Sequence, residues 1–153
     1  MEHITETSAV AEKVLQFVTF SLNKEEYAVD ILNVQEINRI TEITKVPNSP
    51  AFVEGVINLR GKVIPVVNLR KKFGLEDKPT DDTSRIIIME INGITNGLIV
   101  DSVSEVLRVP SSIIEPPPPM SSDVSSNYIK GIAKLEERLI VLLDIDRLIG
   151  ITE

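Results

Sequence analysis

Four carboxylates stand in matched places along this chain: Asp30 with Glu36, and Asp101 with Glu105. A facing pair of carboxyl groups can do acid–base work, one protonated and one ionised, as in glycoside hydrolysis. The alternative is structural: Asp30 and Asp101 would end returning strands and accept hydrogen bonds from turn amides. Duplicated placement favours the structural reading, because two similar turns need the same side chain. Little else in the sequence offers chemistry. The one histidine, His3, lies in the N-terminal stretch, so a histidine triad or metal cluster lacks material. There is no cysteine, which excludes disulfides and thiol nucleophiles and fits a reducing compartment. Neither G-x-x-x-x-G-K-[ST] nor G-x-G-x-x-G occurs, and Gly55 and Gly61 are too far apart to cradle a phosphate. No catalytic, metal or cofactor site is expected.

Charge and hydropathy narrow the partners. A net charge of −7 with no basic stripe argues against a nucleic-acid backbone, and 4% aromatic content leaves few stacking platforms for bases. The longest apolar runs are too short to span a bilayer, and no signal-type leader opens the chain, so a cytoplasmic location is expected. With 153 residues, the chain can bury a substantial core.

The elements that position these residues are read from a repeat. Gly55 to Gly74, GVINLRGKVIPVVNLRKKFG, predicts a strand, a tight turn at Arg60-Gly61-Lys62, a second strand and one helical turn. Asn68 suits the helix N-cap and Gly74 its end. Gly131 to Gly150, GIAKLEERLIVLLDIDRLIG, aligns without a gap, and every Val, Ile, Leu and Phe of the first unit faces an apolar residue of the second. Upstream, Val29-Asp30 and Val34 to Ile40 resemble Val100-Asp101 and Val103 to Val109. The pattern predicts two related β halves, about 14–80 and 81–153, interlocked in a single domain behind a flexible tail at 1–13. The seam falls at the charged, Pro79-bearing segment 76–84.

Within each half, Leu15 to Leu22 and Tyr27 to Ile31 read as a strand pair. Leu32 to Ile40 suits either a helical turn followed by a strand or a bent strand. Ile86 to Ile91 reads as a strand, and Asn92-Gly93 and Asn96-Gly97 read as turns. Pro116 to Pro119 should be stiff polyproline II, serving as a spacer or as a docking edge that ends in Met120. Ile145, Leu148 and Ile149 read as core packing. The first hairpin tip is basic and the second, Glu136-Glu137-Arg138, is mostly acidic. Turn geometry does not require that difference. Arg60 is therefore either simply solvated or aimed at a carboxylate on a partner, where its fork can bind bidentately. Glu36 is likewise either an edge charge against aggregation or a partner contact.

Taken together, these stretches form a specific combination. Glu26-Tyr27, Val29-Asp30-Ile31-Leu32 and Val34-Gln35-Glu36-Ile37 precede Pro50-Ala51-Phe52-Val53 and Gly55-Val56-Ile57-Asn58-Leu59-Arg60-Gly61. Ile64-Pro65-Val66-Val67-Asn68-Leu69-Arg70 and Gly97-Leu98-Ile99-Val100-Asp101 follow. From about Leu15 to Gly150 the chain resembles the CheW-like family of bacterial chemotaxis coupling proteins. The resemblance implies a mainly β fold of two packed SH3-like five-stranded β-barrel subdomains with short helical turns. It implies a non-enzymatic adaptor, monomeric in isolation, that couples methyl-accepting chemoreceptor tips to the regulatory domain of the histidine kinase CheA. Carried over residue by residue, receptor binding would fall to Val34, Glu36, Gly55, Arg60, Ile87 and Val103. Kinase binding would fall to Ile31, Ile37 and Met120. The four prolines before Met120 depart from relatives that carry a charge and an aromatic there. Over these 153 residues no receiver domain is expected, which disfavours the fused coupling protein CheV.

Overall fold

The structure, a computed structural model, describes residues 13–117 and 128–150. Among the described residues, eleven strands form two sheets. The strands are β1 (Val14–Leu22), β2 (Glu25–Asp30), β3 (Val34–Arg39), β4 (Val53–Leu59), β5 (Lys62–Asn68), β6 (Arg85–Ile91), β7 (Ile94–Val100), β8 (Ser102–Pro110), β9 (Ile114–Glu115), β10 (Ile129–Leu135) and β11 (Arg138–Leu143). Helices α1 (Leu69–Lys72) and α2 (Ile145–Gly150) follow β5 and β11. Asn68 accepts from the Lys71 amide at 3.3 Å and Asp144 from the Arg147 amide at 3.2 Å, so both caps read from the repeat are made. Gly74, at φ +73°, ends α1 as expected.

Sheet membership does not follow the expected cut at 80/81. The first sheet runs β8-β1-β2-β11-β10-β9 and the second β3-β6-β7-β5-β4. Each half therefore gives its opening hairpin to the sheet built by the other half. β1 pairs antiparallel with β8 and β2 parallel with β11, while β6 pairs with β3 and β7 parallel with β5. The segment 76–84, read as the seam, connects two strands of one sheet. Among the described residues, the chain crosses between sheets at two places, the 3-10 turn Ile31–Asn33 and the single residue Asp101. That 3-10 turn followed by β3 settles the ambiguity over residues 32–40.

Among the described residues, neither sheet is hydrogen-bonded all the way round. In both, however, the strand leaving one edge bends and returns at the other. After β3, Thr44 exchanges backbone bonds with Val56 of β4 at 2.9 and 2.8 Å. After β8, Glu115 pairs with Ile132 of β10. This return explains why glycine recurs in the repeat. A Cβ on Gly55 would lie 2.1 Å from the Thr44 carbonyl oxygen, and one on Gly131 would lie 3.0 Å from that of Glu115. Counting β8 and β9 separately gives the first sheet six strands instead of the expected five.

Three cores follow from strand alternation. Ile86 and Ile88 face a cluster inside the second sheet with Ile57, Ile64, Val66 and Ile99. Phe17, Ala28, Val109, Ala133, Ile140 and Leu142 fill the first sheet. Between the sheets lies a shared core that includes Phe20, Leu22, Val29, Val67, Leu69, Ile87, Met89, Leu98, Leu143, Ile145 and Leu148. The run Ile86–Met89 is continuously apolar because both of its faces are buried. Asn96-Gly97 is not a turn. Both residues lie inside β7, where Ile86 Cγ2 would stand 2.9 Å from a Cβ at position 97, so the glycine makes room for a neighbour.

Candidate functional site

Each of the four matched carboxylates has a partner within the chain. Asp30 accepts from the Leu32 amide at 2.9 Å and caps the 3-10 turn. Glu36, on β3, meets Arg60 at the β4–β5 tip through Nη1–Oε1 at 3.4 Å and through Nη2–Oε2. The hydrogen bond from Arg60 holds the Glu36 carboxyl below its ordinary range. This contact joins opposite edges of the second sheet, because the tip carries Arg60 and Gly61 at φ +52° and +88° and curls back toward β3. Arg60 remains 72% exposed. The carboxylate it meets belongs to its own chain, so a partner carboxylate must share or displace Glu36.

The second sheet's contact has a counterpart in the first. Glu105, the repeat mate of Glu36, accepts from Arg138 Nη2 at 2.9 Å, and Glu26 takes the same arginine through two bonds of 3.0 and 2.9 Å. The acidic tip thus still presents an arginine to the matched glutamate, from a position two residues further on. Sequence reasoning missed Arg138; the signal was the Glu36–Glu105 match itself, which asks for a cation at both tips.

Asp101 meets Arg70, the other residue the sequence reading overlooked. Arg70 side-chain exposure is 8%, and its fork reaches both Asp101 oxygens at 2.9 and 2.8 Å while Nη1 donates to the Glu76 carbonyl at 2.6 Å. Asp101 Oδ2 also accepts from the Asn23 amide at 2.9 Å, the turn-amide role expected for it. Arg70 is buried, while Asp101 keeps 23% side-chain exposure and the Asn23 amide, so Arg70→Ala should cost about 2–3 kcal/mol in urea unfolding at neutral pH. Arg70 holds the Asp101 carboxyl below its ordinary range. Its folded pKa is below its unfolded one, so the pair's contribution is present above the unfolded value and is lost as pH falls through the folded one. The stability gap between wild type and Arg70→Ala should therefore close in acid below the ordinary aspartate range.

The remaining expected site residues divide. Val34 and Val103 are half-buried against the shared core, one on each sheet. Ile87 has 0% exposure and points into the shared core, which removes it as a contact residue: β6 is flanked by β3 and β7 and covered on both faces. Gly55 is buried and serves the backbone approach of Thr44, not a surface contact. Ile31 leans on the shared core, whereas Ile37 stands on the exposed face of β3 at 39% exposure. Met120 and most of the expected tail lie outside the described residues. Among the described residues no cluster of metal-capable side chains occurs, and no helix is long and apolar enough to cross a membrane.

The CheW-like domain model matches residues 16–153. The chain belongs to the CheW-like domain family. Chemotaxis protein CheW of Klebsiella aerogenes is 36% identical over 138 residues, covering 90% of this chain and 83% of that protein. Chemotaxis protein CheW of Thermotoga maritima is 38% identical, covering 94% of this chain and 93% of that protein. The crystal structure of the scaffolding protein TtCheW from Thermoanaerobacter tengcongensis superposes with a TM-score of 0.82 at 44% identity, covering 89% of this chain and 92% of that one. In this CheW-like chain the exchanged hairpins and the two glutamate–arginine contacts are the features that organise the surface.

Proposed function

We propose that this chain is a non-enzymatic adaptor of bacterial chemotaxis, coupling chemoreceptor cytoplasmic tips to the histidine kinase CheA at receptor clusters. The observation that carries the reading is its likeness, over nearly the whole chain, to relatives named as chemotaxis proteins and to a solved scaffolding protein. The carboxylates support it over acid–base catalysis. Asp30, Glu36, Asp101 and Glu105 are each engaged by an amide or an arginine of the same chain instead of converging on one cavity. In this reading the receptor helix lies against Val34, Glu36, Arg60 and Val103, as a helix held in an apolar groove with a charged rim. Ile31 and Ile37 face the kinase. The SH3-like barrel description belongs to the same reading, supported by the returning segments at Thr44 and Glu115 that draw opposite sheet edges together.

Arg60 tests the receptor face. Arg60→Ala should weaken binding to a soluble receptor-tip fragment by about tenfold, while its melting temperature stays near wild type because the side chain is largely in solvent. Isothermal titration beside thermal melts reads both. Unchanged affinity would remove Arg60 from the receptor face.

A further inference from the structure

Asp101 is the one residue between β7 of the second sheet and β8 of the first. Three separate segments bind it: the end of β1 with its turn, α1, and the loop before β6. Its amide donates to the Ser21 carbonyl at 3.1 Å, and its carbonyl accepts from Thr83 Oγ1 at 3.1 Å. Its carboxylate takes the Asn23 amide and both arms of the Arg70 fork. The other crossover, Asp30 to Asn33, has nothing comparable: Asp30 caps its own turn, and the repeat places Asp146 where Arg70 stands. Two carboxylates cannot form that pin, so it exists on one side only.

Stability alone does not explain a largely buried ion pair at this point, because apolar residues of similar volume often serve as well or better. Hydrophobic burial in the shared core is also non-directional. Its packing limits the angle between the sheets without pinning it at one point. A planar fork on a fixed carboxylate is directional. We propose that Arg70 is a positioning residue, acting through Asp101 to fix the angle at which β8, with Val103, meets the sheet that carries Glu36 and Arg60. The binding consequence rests on the adaptor reading; the geometric claim does not.

The absence of cysteine allows spin labels to be placed at will. Val63→Cys and Leu139→Cys put labels on exposed, repeat-matched positions, one in each sheet. Pulsed dipolar spectroscopy should give one narrow distance distribution in the otherwise unaltered chain. Two variants test the pin: Arg70→Lys, which keeps the charge and loses the fork, and the double replacement Arg70→Met with Asp101→Leu, which restores apolar packing. In either variant that melts cooperatively, the distribution should broaden and shift. The wild-type distribution in every folded variant would overturn the proposal. Receptor-fragment titration on the same samples reports separately. If the unaltered chain binds no receptor fragment, the adaptor reading fails, and the distance measurement still decides the pin.

Discussion

Gly55→Ala is expected to destabilise the protein by about 3 kcal/mol or more, the range reserved for changes that force backbone apart. The new methyl would sit 2.1 Å from the Thr44 carbonyl oxygen and 2.7 Å from its carbon, at φ +149°, and these two nearest atoms are backbone that cannot swing away. Relief requires breaking the Thr44–Val56 bridge, which is the return of the chain to the far edge of the second sheet. Gly61→Ala is the control. Position 61 has φ +88° but open space around a Cβ, so only the left-handed backbone cost applies, about 1–2 kcal/mol. Urea unfolding of the two variants should separate them clearly. Equal losses would mean that the Thr44 contact carries no weight.

Cutting the chain between residues 80 and 81 should have a larger and qualitatively different effect. The loop there is exposed, so a break costs few contacts. The resulting pieces, 1–80 and 81–153, each hold the hairpin of one sheet and the body of the other. Neither can complete a sheet or the shared core, so each alone should lack cooperative unfolding and stable β circular dichroism. Mixed, they should recover both, with a melting temperature that rises with concentration, as for any folding coupled to association. Two pieces that fold independently would contradict the exchanged-hairpin topology.

Much of the local structure was legible because it is set by neighbours in sequence. The caps at Asn68 and Asp144, the stop at Gly74 and the hairpin tips all follow from short-range geometry. The duplication was legible too, since both halves bury the same faces. The hairpin exchange was not. The hydrophobic pattern of β1 is the same whether it pairs within its own half or across to β8. Ile87 was misplaced for a related reason: a strand buried on both faces has no polar alternation to show which side meets solvent. Gly97 read as a turn because its glycine answers a crowding neighbour, Ile86, that lies in another strand. Arg70 was overlooked because a basic residue after an N-cap reads as surface charge, and only the fold brings Asp101 to it.

In the proposed adaptor role, one small β domain would hold a receptor and a kinase at the same time. Size-exclusion chromatography with light scattering tests it directly, using this chain with a soluble receptor-tip fragment and a fragment of CheA bearing its regulatory domain. The account predicts a single peak whose mass contains all three components, and its depletion by Arg60→Ala in the receptor component alone. Binding of neither fragment, or of each only when the other is absent, would contradict it.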